Sequence, residues 1–218
     1  MQIAIIGGTG DMGFGLGLRL AVAGHTIRIG SRQAAKAEEA AARALALTGL
    51  AAGAIGGFDN QTAVSGADLA VVSVPGAAHR ATVEGLRDQL AGRPVLDVTV
   101  PLAFKPLRYE PPAAGSNAQE TAEVLGDGAR VAAAFHTVAA GLLADLATPL
   151  DVETLVAGND AELKADVIGL AELIGIKAFD AGALHMAAIA ESLTPLLIGL
   201  NRRYGSTHIG LRLVGVPE

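Results

Sequence analysis

The chain of 218 residues contains no cysteine, which removes disulfides, thiolate metal sites and cysteine nucleophiles while leaving the compartment unfixed. It is also short of positive charge. Sixteen Lys and Arg stand against 22 Asp and Glu, a formal charge of −6, and the cations are scattered. A nucleic-acid surface concentrates Lys and Arg on one face, so this balance argues against such a partner. The N-terminus lacks the charged start and apolar core of a secretory signal, so a cytoplasmic location is expected. The longest uncharged stretch, Ala44 to Phe58, is 15 residues with four glycines, too short and too flexible to span a membrane. No His, Asp and Glu cluster has metal-ligand spacing, and the glycine turn near the start is not a G-x-S-x-G elbow.

What is present is apolar: 51% of residues are hydrophobic and 17% charged, enough to bury a full core. Met1 to Ile6 reads as a short buried strand. It runs into Gly7-Gly8-Thr9-Gly10-Asp11-Met12-Gly13, which supplies G-x-G-x-x-G through Gly8, Gly10 and Gly13 before a helical stretch from Phe14. Gly8 would allow the tight turn, Gly10 the approach of a pyrophosphate to the backbone, and Gly13 close packing of helix on sheet. The helix N-terminus offers free N–H groups to phosphate.

The second strand, His25 to Ile29, ends where an NAD-binding chain carries an acid for the ribose 2′-hydroxyl. Here the sequence has Gly30-Ser31-Arg32 and then Lys36. A hydroxyl, a guanidinium and an ammonium suit a 2′-phosphate, which predicts NADP over NAD. The bland alternative is a solvated helix start, with Ser31 as N-cap and the two cations on its wet face.

Further on, a helix is expected over Gln33 to Leu47 and a glycine-weakened third strand within Leu50 to Phe58. A short helix follows over Asn60 to Ser65, a strand over Asp68 to Val74, a helix over Ala77 to Leu90 and a strand over Arg93 to Val100. Pro101 to Gly115 reads as a loop. Ser116 starts a helix, with Gln119 and Glu120 near a capping-box position, and Arg130 to Phe135 is a strand delivering His136-Thr137. Strands follow near Thr154 to Ala157 and at Ile176 to Phe179, flanking a helix over Asp160 to Leu173; the C-terminus is helical from Ala183 to about Tyr204. Alternating strands and helices predict an α/β, doubly wound, mostly parallel Rossmann-type sheet with a small helical C-terminal part. The expected division is 1–145 for dinucleotide binding and 146–218 for a smaller part.

Ligands bind beyond the carboxyl ends of such strands. That selects the glycine turn, Ser31-Arg32, Ser73-Val74-Pro75-Gly76, Val98 to Pro101, and His136-Thr137-Val138. Small groups at Ser73 to Gly76 would let a flat ring lie close, Pro75 acting through shape. His136 is the candidate for orienting a second substrate, or else a satisfied histidine inside the fold; His25, His79, His185 and His208 have weaker claims. An alcohol dehydrogenase needs a His with an acid or a Tyr with a Lys to move the hydroxyl proton. Neither pair is visible in a suitable place, which favours an acceptor that is itself a redox ring, reached mostly by alignment.

Ile5 to Gly13, Gly30-Ser31-Arg32 with Lys36, Phe135 to Val138, Phe179 to Gly182 and Glu191-Ser192-Leu193-Thr194-Pro195-Leu196 together resemble the NADPH-dependent reductases of the deazaflavin coenzyme F-420 (F420). The resemblance implies reversible hydride transfer between the nicotinamide C4 of NADP(H) and C5 of the deazaflavin as second substrate. It places Thr9 to Met12 on the pyrophosphate and Ser31, Arg32 and Lys36 on the 2′-phosphate. It sets Ser73 to Gly76, Val100 and Ala140 on the nicotinamide side, and His136, Val138 and Ile209 beside the deazaflavin. It also implies a homodimer, with the C-terminal part completing the deazaflavin pocket. The chain departs from the family at Asp11, where an amide is common, and at Ala139, where proline is more usual. The competing readings are an NADPH-dependent reductase of another acceptor (flavin, metal chelate or imine) and an NADPH-binding module without chemistry.

Overall fold

The computed structural model describes residues 1–216; Pro217 and Glu218, the end of the expected C-terminal part, lie outside the described residues. Strand β1 (Gln2–Ile6) is followed by α1 (Asp11–Val22), β2 (Thr26–Ser31), α2 (Ala34–Thr48), β3 (Ile55–Asp59), α3 (Asn60–Ser65) and β4 (Leu69–Val72). A 3₁₀ turn (Gly76–Ala78) leads to α4 (His79–Gly85), α5 (Arg87–Leu90) and β5 (Pro94–Asp97). Then come β6 (Leu102–Ala103), β7 (Arg108–Tyr109), α6 (Asn117–Leu125), β8 (Arg130–Ala133), α7 (Ala140–Ala144) and β9 (Glu153–Gly158). The chain ends with α8 (Ala161–Leu173), β10 (Lys177–Gly182), a 3₁₀ turn (Leu184–Met186) and α9 (Ala187–Tyr204).

Eight strands form one sheet in the order β10-β9-β8-β5-β4-β1-β2-β3. All neighbours are parallel except β8 and β9, so the doubly wound, mostly parallel Rossmann-type fold is as expected. The C-terminal strands β9 and β10 extend this same sheet. Chain direction across the sheet reverses between β1 and β4, the switch point at which such folds bind ligands. Alternation along β1 feeds both faces: Ile3 and Ile5 enter one core with α1, α2 and α8, while Ala4 and Ile6 enter another with α3, α4 and α6.

Local signals explain most element ends. The Ala-rich α2 stops at Gly49 (φ 67°), whose N–H bonds the Leu45 carbonyl at 2.9 Å. Helix α8 starts on Asp160, whose carboxylate accepts from Leu163 N at 3.0 Å. Strand β3 owes its glycines to packing. A Cβ on Gly57 would lie 2.3 Å from the backbone of Ala37 and Glu38, so only glycine admits α2 this close.

Three expectations need correction. Pro101 to Gly115 is not only loop, because β6 and β7 pair as an antiparallel hairpin; runs of two residues are too short for periodicity to register. The helix expected over Ala77 to Leu90 is broken, since Gly85 weakens it and Leu86 leaves helical geometry (φ −114°, ψ 9°) to bury its side chain. The capping box at Ser116 is half made: its hydroxyl accepts from Gln119 N at 3.0 Å, but the Gln119 side chain meets that hydroxyl, and Glu120 turns into the interior. In addition, α9 with the turn before it is long and apolar enough, by length and composition alone, to cross a membrane, and most of it is not buried inside the protein. A search for uncharged stretches passes over it because Glu191 interrupts its middle.

Candidate active site

The glycine turn sits at the switch point. Gly7, not Gly8, carries the positive φ (75°) that makes the turn. A Cβ there would lie 2.7 Å from the Ser73 carbonyl oxygen, so β1 and β4 exits touch backbone to backbone. Gly8 and Gly13 serve packing: a Cβ on Gly8 would stand 2.9 Å from the Ile5 carbonyl oxygen, and one on Gly13 would stand 3.0 Å from Gly8, Ile5 and the Ser73 hydroxyl. Gly10, by contrast, has nothing nearer than 3.5 Å and is exposed. It is the N-cap of α1 and gives no side-chain cap. The first amides of that helix are therefore free for an anion. Asp11 is exposed and does not cap the helix.

A row of cavities runs along this edge of the sheet. The first, of 300 Å³, is lined by Thr9, Gly10, Ser31, Arg32, Lys36, Asn60 and the Ser73 to Pro75 segment. Arg32 and Lys36 are exposed and make no ion pair among the described residues. Ser31 does not cap α2, whose N-cap is Gln33; its hydroxyl accepts from Gln33 N at 3.2 Å. A hydroxyl and two free cations thus share one cavity wall. A neighbouring space of 420 Å³ adds Asp59, Gln61, Ala81 and Leu86 beside Ser31 and Arg32.

On the other side of the turn, a cavity of 350 Å³ is lined by Gly10, Asp11, Met12, Ser73 to Gly76, Val98 to Val100, Leu102, Phe104 and Thr194. It shares Met12 and Thr194 with a cavity of 300 Å³ lined by His136 to Gly141, Leu197, Ile198, Asn201, Thr207 and Ile209. Ala140 lies in this last space with His136 rather than beside Ser73. Short α7 is held there by Arg19, whose guanidinium donates to the carbonyls of Leu142 (3.0 Å), Leu143 (3.1 Å) and Thr148 (2.9 Å).

His136 lies one residue beyond Phe135, a non-glycine with φ 68° whose N–H bonds the Thr154 hydroxyl at 2.8 Å. The imidazole is 4% exposed and neither ring nitrogen has a partner among the described residues. Burial pushes it down to about 4, against the pull of Asp97. It is thus a neutral ring with no partner within hydrogen-bond distance among the described residues, the Asp97 backbone being its nearest polar influence, and this makes it a candidate for a ligand contact. Its own carbonyl accepts from the Thr194 hydroxyl at 2.7 Å, tying β8 to α9.

The absence of a visible His–acid pair is corrected by folding. His79, fully buried, sits 2.8 Å from Asp97 through Nε2 and 2.8 Å from Glu120 through Nδ1. Burial opposes its charge, but the hydrogen bonds and charges of the two carboxylates outweigh that and hold it above the ordinary imidazole range. Asp97 is held below the carboxylate range despite complete burial by His79, Thr99 and Thr121. Glu191 on α9 accepts from the amides of Asn117 (3.0 Å) and Ala118 (3.2 Å) and faces the Tyr109 hydroxyl at 3.2 Å, yet burial pushes it up to about 8. Sequence spacing gives no hint of His79, whose partners are 18 and 41 residues away. Thr194 did have a signal, in the Glu-Ser-Leu-Thr-Pro block.

The donor set fits a phosphorylated dinucleotide: free helix amides, then two cations without an ion pair among the described residues, with the small Ser73 to Pro75 segment lining both the first cavity and the one beyond the turn. A family model described as NADP oxidoreductase, coenzyme F420-dependent, matches residues 2–101. The F420-dependent NADP reductase of Methanocaldococcus jannaschii is 43% identical, covering 99% of both chains. That of Methanothermobacter thermautotrophicus is 40% identical over 100% of this chain and 97% of its own. A solved structure from Arthrobacter sp. FB24, provisionally named an F420-dependent NADP-reductase, superposes with a TM-score of 0.83 at 28% identity, covering 97% of this chain and 98% of its own. The chain belongs to the F420-dependent NADP reductase family.

Proposed function

We propose that this protein transfers a hydride reversibly between NADP(H) and F420, with the two rings lying in the two inner cavities. The observation that carries this reading is adjacency: Met12 and Thr194 line both spaces, so ligands held in them would be immediate neighbours along this edge of the sheet. When bound, the pair supplies the chemistry, a hydride passing between the nicotinamide C4 and the deazaflavin C5. The chain's own residues bind, orient and exclude water. Thr9 to Met12 and the α1 amides take the pyrophosphate; Ser31, Arg32 and Lys36 take the 2′-phosphate. Ser73 to Gly76 and Val100 set the depth of the nicotinamide. His136, with Thr137, Val138, Ala140 and Ile209, orients the deazaflavin through its unused ring nitrogens. Holding reactants in attack geometry supplies a large part of the rate, about 7–11 kcal/mol at best.

Residues 146–218 form the smaller part in this reading, completing the acceptor pocket through Thr194, Asn201 and Ile209. A homodimer belongs to it as well. Ile189, Leu193, Leu196 and Leu200 recur at helical spacing along α9, with Ile189 57% and Leu196 56% exposed, a seam suited to a second copy. A cytoplasmic location, where reduced nicotinamide is replenished, is part of the same reading. The test is to mix the protein with NADPH and oxidised F420 and follow loss of the deazaflavin's visible absorbance. Turnover is expected. Reduction of riboflavin or a cyclic imine, with none of F420, would overturn the choice of acceptor; tight NADPH binding with no acceptor reduced would leave only a binding module.

A further inference from the structure

A buried polar cluster adjoins the cavity lined by Ser73 to Gly76 and Val98 to Val100. His79 opens α4, three residues after Gly76, and is gripped by Asp97 at the end of β5 and Glu120 on α6. An imidazole with a carboxyl group against each nitrogen is biased toward its doubly protonated form, because Asp97 and Glu120 both favour the charge against burial. Thr121 also donates to Asp97 Oδ2 at 2.7 Å, while the other Asp97 oxygen accepts from Thr99 N at 2.9 Å and from the Thr99 hydroxyl at 2.5 Å. The chain of bonds continues: the Asn117 amide donates to the Thr99 hydroxyl at 2.8 Å, and the Asn117 backbone donates to Glu191 on α9.

This cluster joins the two segments that wall the cavity. Ser73 to Gly76 leads into His79, and Val98 to Val100 follows Asp97. The segments touch where a Cβ on Gly76 would lie 2.9 Å from the Val100 carbonyl oxygen. Three residues beyond Glu191, Thr194 forms the wall shared with the acceptor cavity. None of His79, Asp97 or Glu120 lines any of these cavities. A charge that touches no ligand, yet is bonded to both walls, acts through geometry.

We propose that His79 is a positioning residue for hydride transfer: clamped between Asp97 and Glu120, it pins Ser73–Gly76 against Val98–Val100 and so fixes how deeply the nicotinamide ring sits. The inference rests on the assignment of that cavity to the nicotinamide. The charged and titratable groups around the ring are Asp97 on β5, Glu120 on α6 and Arg80 on α4, whose guanidinium lies 3.3 Å from Glu120. His136 and Glu191 feel Asp97 from farther away.

The experiment compares His79→Gln and Glu120→Gln with the parent protein in three measurements. These are affinity for 2′,5′-ADP, emission of bound NADPH, and the single-turnover rate of hydride transfer to F420 against pH. A misplacement near 1 Å costs about a hundredfold, so His79→Gln is expected to slow transfer at least tenfold. It should shift the bound NADPH emission and leave 2′,5′-ADP affinity within about twofold, since Ser31, Arg32 and Lys36, which would hold the 2′-phosphate, make no contact with the cluster. Glu120→Gln leaves Asp97 alone to hold the proton. Its rate should fall at a lower pH than the parent's as the medium turns alkaline. Parent-like rate and emission in a folded His79→Gln would overturn the proposal, as would equal losses of transfer rate and 2′,5′-ADP affinity. If His79→Gln does not fold, a pH profile of Glu120→Gln that superposes on the parent's is decisive against it. A parent protein that never reduces F420 refutes the functional reading instead, and the NADPH emission of the variants still decides the role of His79.

Discussion

Replacing Arg32 with alanine separates a 2′-phosphate site from a solvated helix start. The guanidinium lines the first cavity beside Ser31 and Lys36 and makes no ion pair among the described residues. Its removal breaks nothing internal, and the whole effect must come from the ligand. A hydrogen bond to a charged group contributes about 1.5–3 kcal/mol, and each 1.4 kcal/mol is about tenfold in affinity. Because the site is open to water and Lys36 remains, the lower end applies. Arg32→Ala should weaken NADPH binding about 10- to 30-fold, with maximal turnover nearly unchanged, because the lost interaction is equal in ground and transition states. NADH, without the phosphate, should be almost unaffected. The chain has no tryptophan, so a titration following bound-nicotinamide emission is free of that background. An unchanged NADPH dissociation constant, or equal losses for NADPH and NADH, would refute the assignment.

Further outcomes follow from the packing and the buried charges. Gly57→Ala forces a methyl against the α2 backbone and should cost about 1–3 kcal/mol, lowering the melting temperature by about 2–12 °C. Gly169→Ala, in α8 with nothing within 4 Å, should instead stabilise by about 1 kcal/mol; calorimetry on both is the check. His136, whose value falls from 6.5 to about 4 on folding, is neutral in the native state. The stability it contributes is present above pH 6.5 and lost as pH falls toward 4, so urea midpoints of His136→Asn should decline less with acid than the parent's. Leu196→Glu should turn the proposed dimer into a monomer by light scattering, and an unchanged mass would remove α9 from the interface.

The glycine turn, the Ser31-Arg32-Lys36 set and the alternation of strands and helices were legible because each depends on neighbours in the chain. Gly10 leaves room and α1 lacks a side-chain cap whatever the rest of the fold does. The hairpin of β6 and β7, the break at Leu86 and the five residues of α7 were not. Their stability comes from distant partners: Tyr109 reaches Glu191, Leu86 enters the core, and Arg19 holds the α7 carbonyls. The sequence marks Leu184–Tyr204 as a helix, but its apolar length is masked by Glu191, a central carboxylate that looks, in sequence, like any exposed charge.

By itself the sequence determined the wound sheet, the site at its switch point and the preference for a phosphorylated nicotinamide, through patterns spanning a few to about 20 residues. Only the tertiary structure decided that His79 is buried between Asp97 and Glu120, that His136 has no ring-nitrogen partner among the described residues, and that Thr194 lines both inner cavities. The reason is physical. A side chain's charge state and unused hydrogen bonds depend on which groups folding brings within about 3 Å, and the chain order of those groups does not encode that distance.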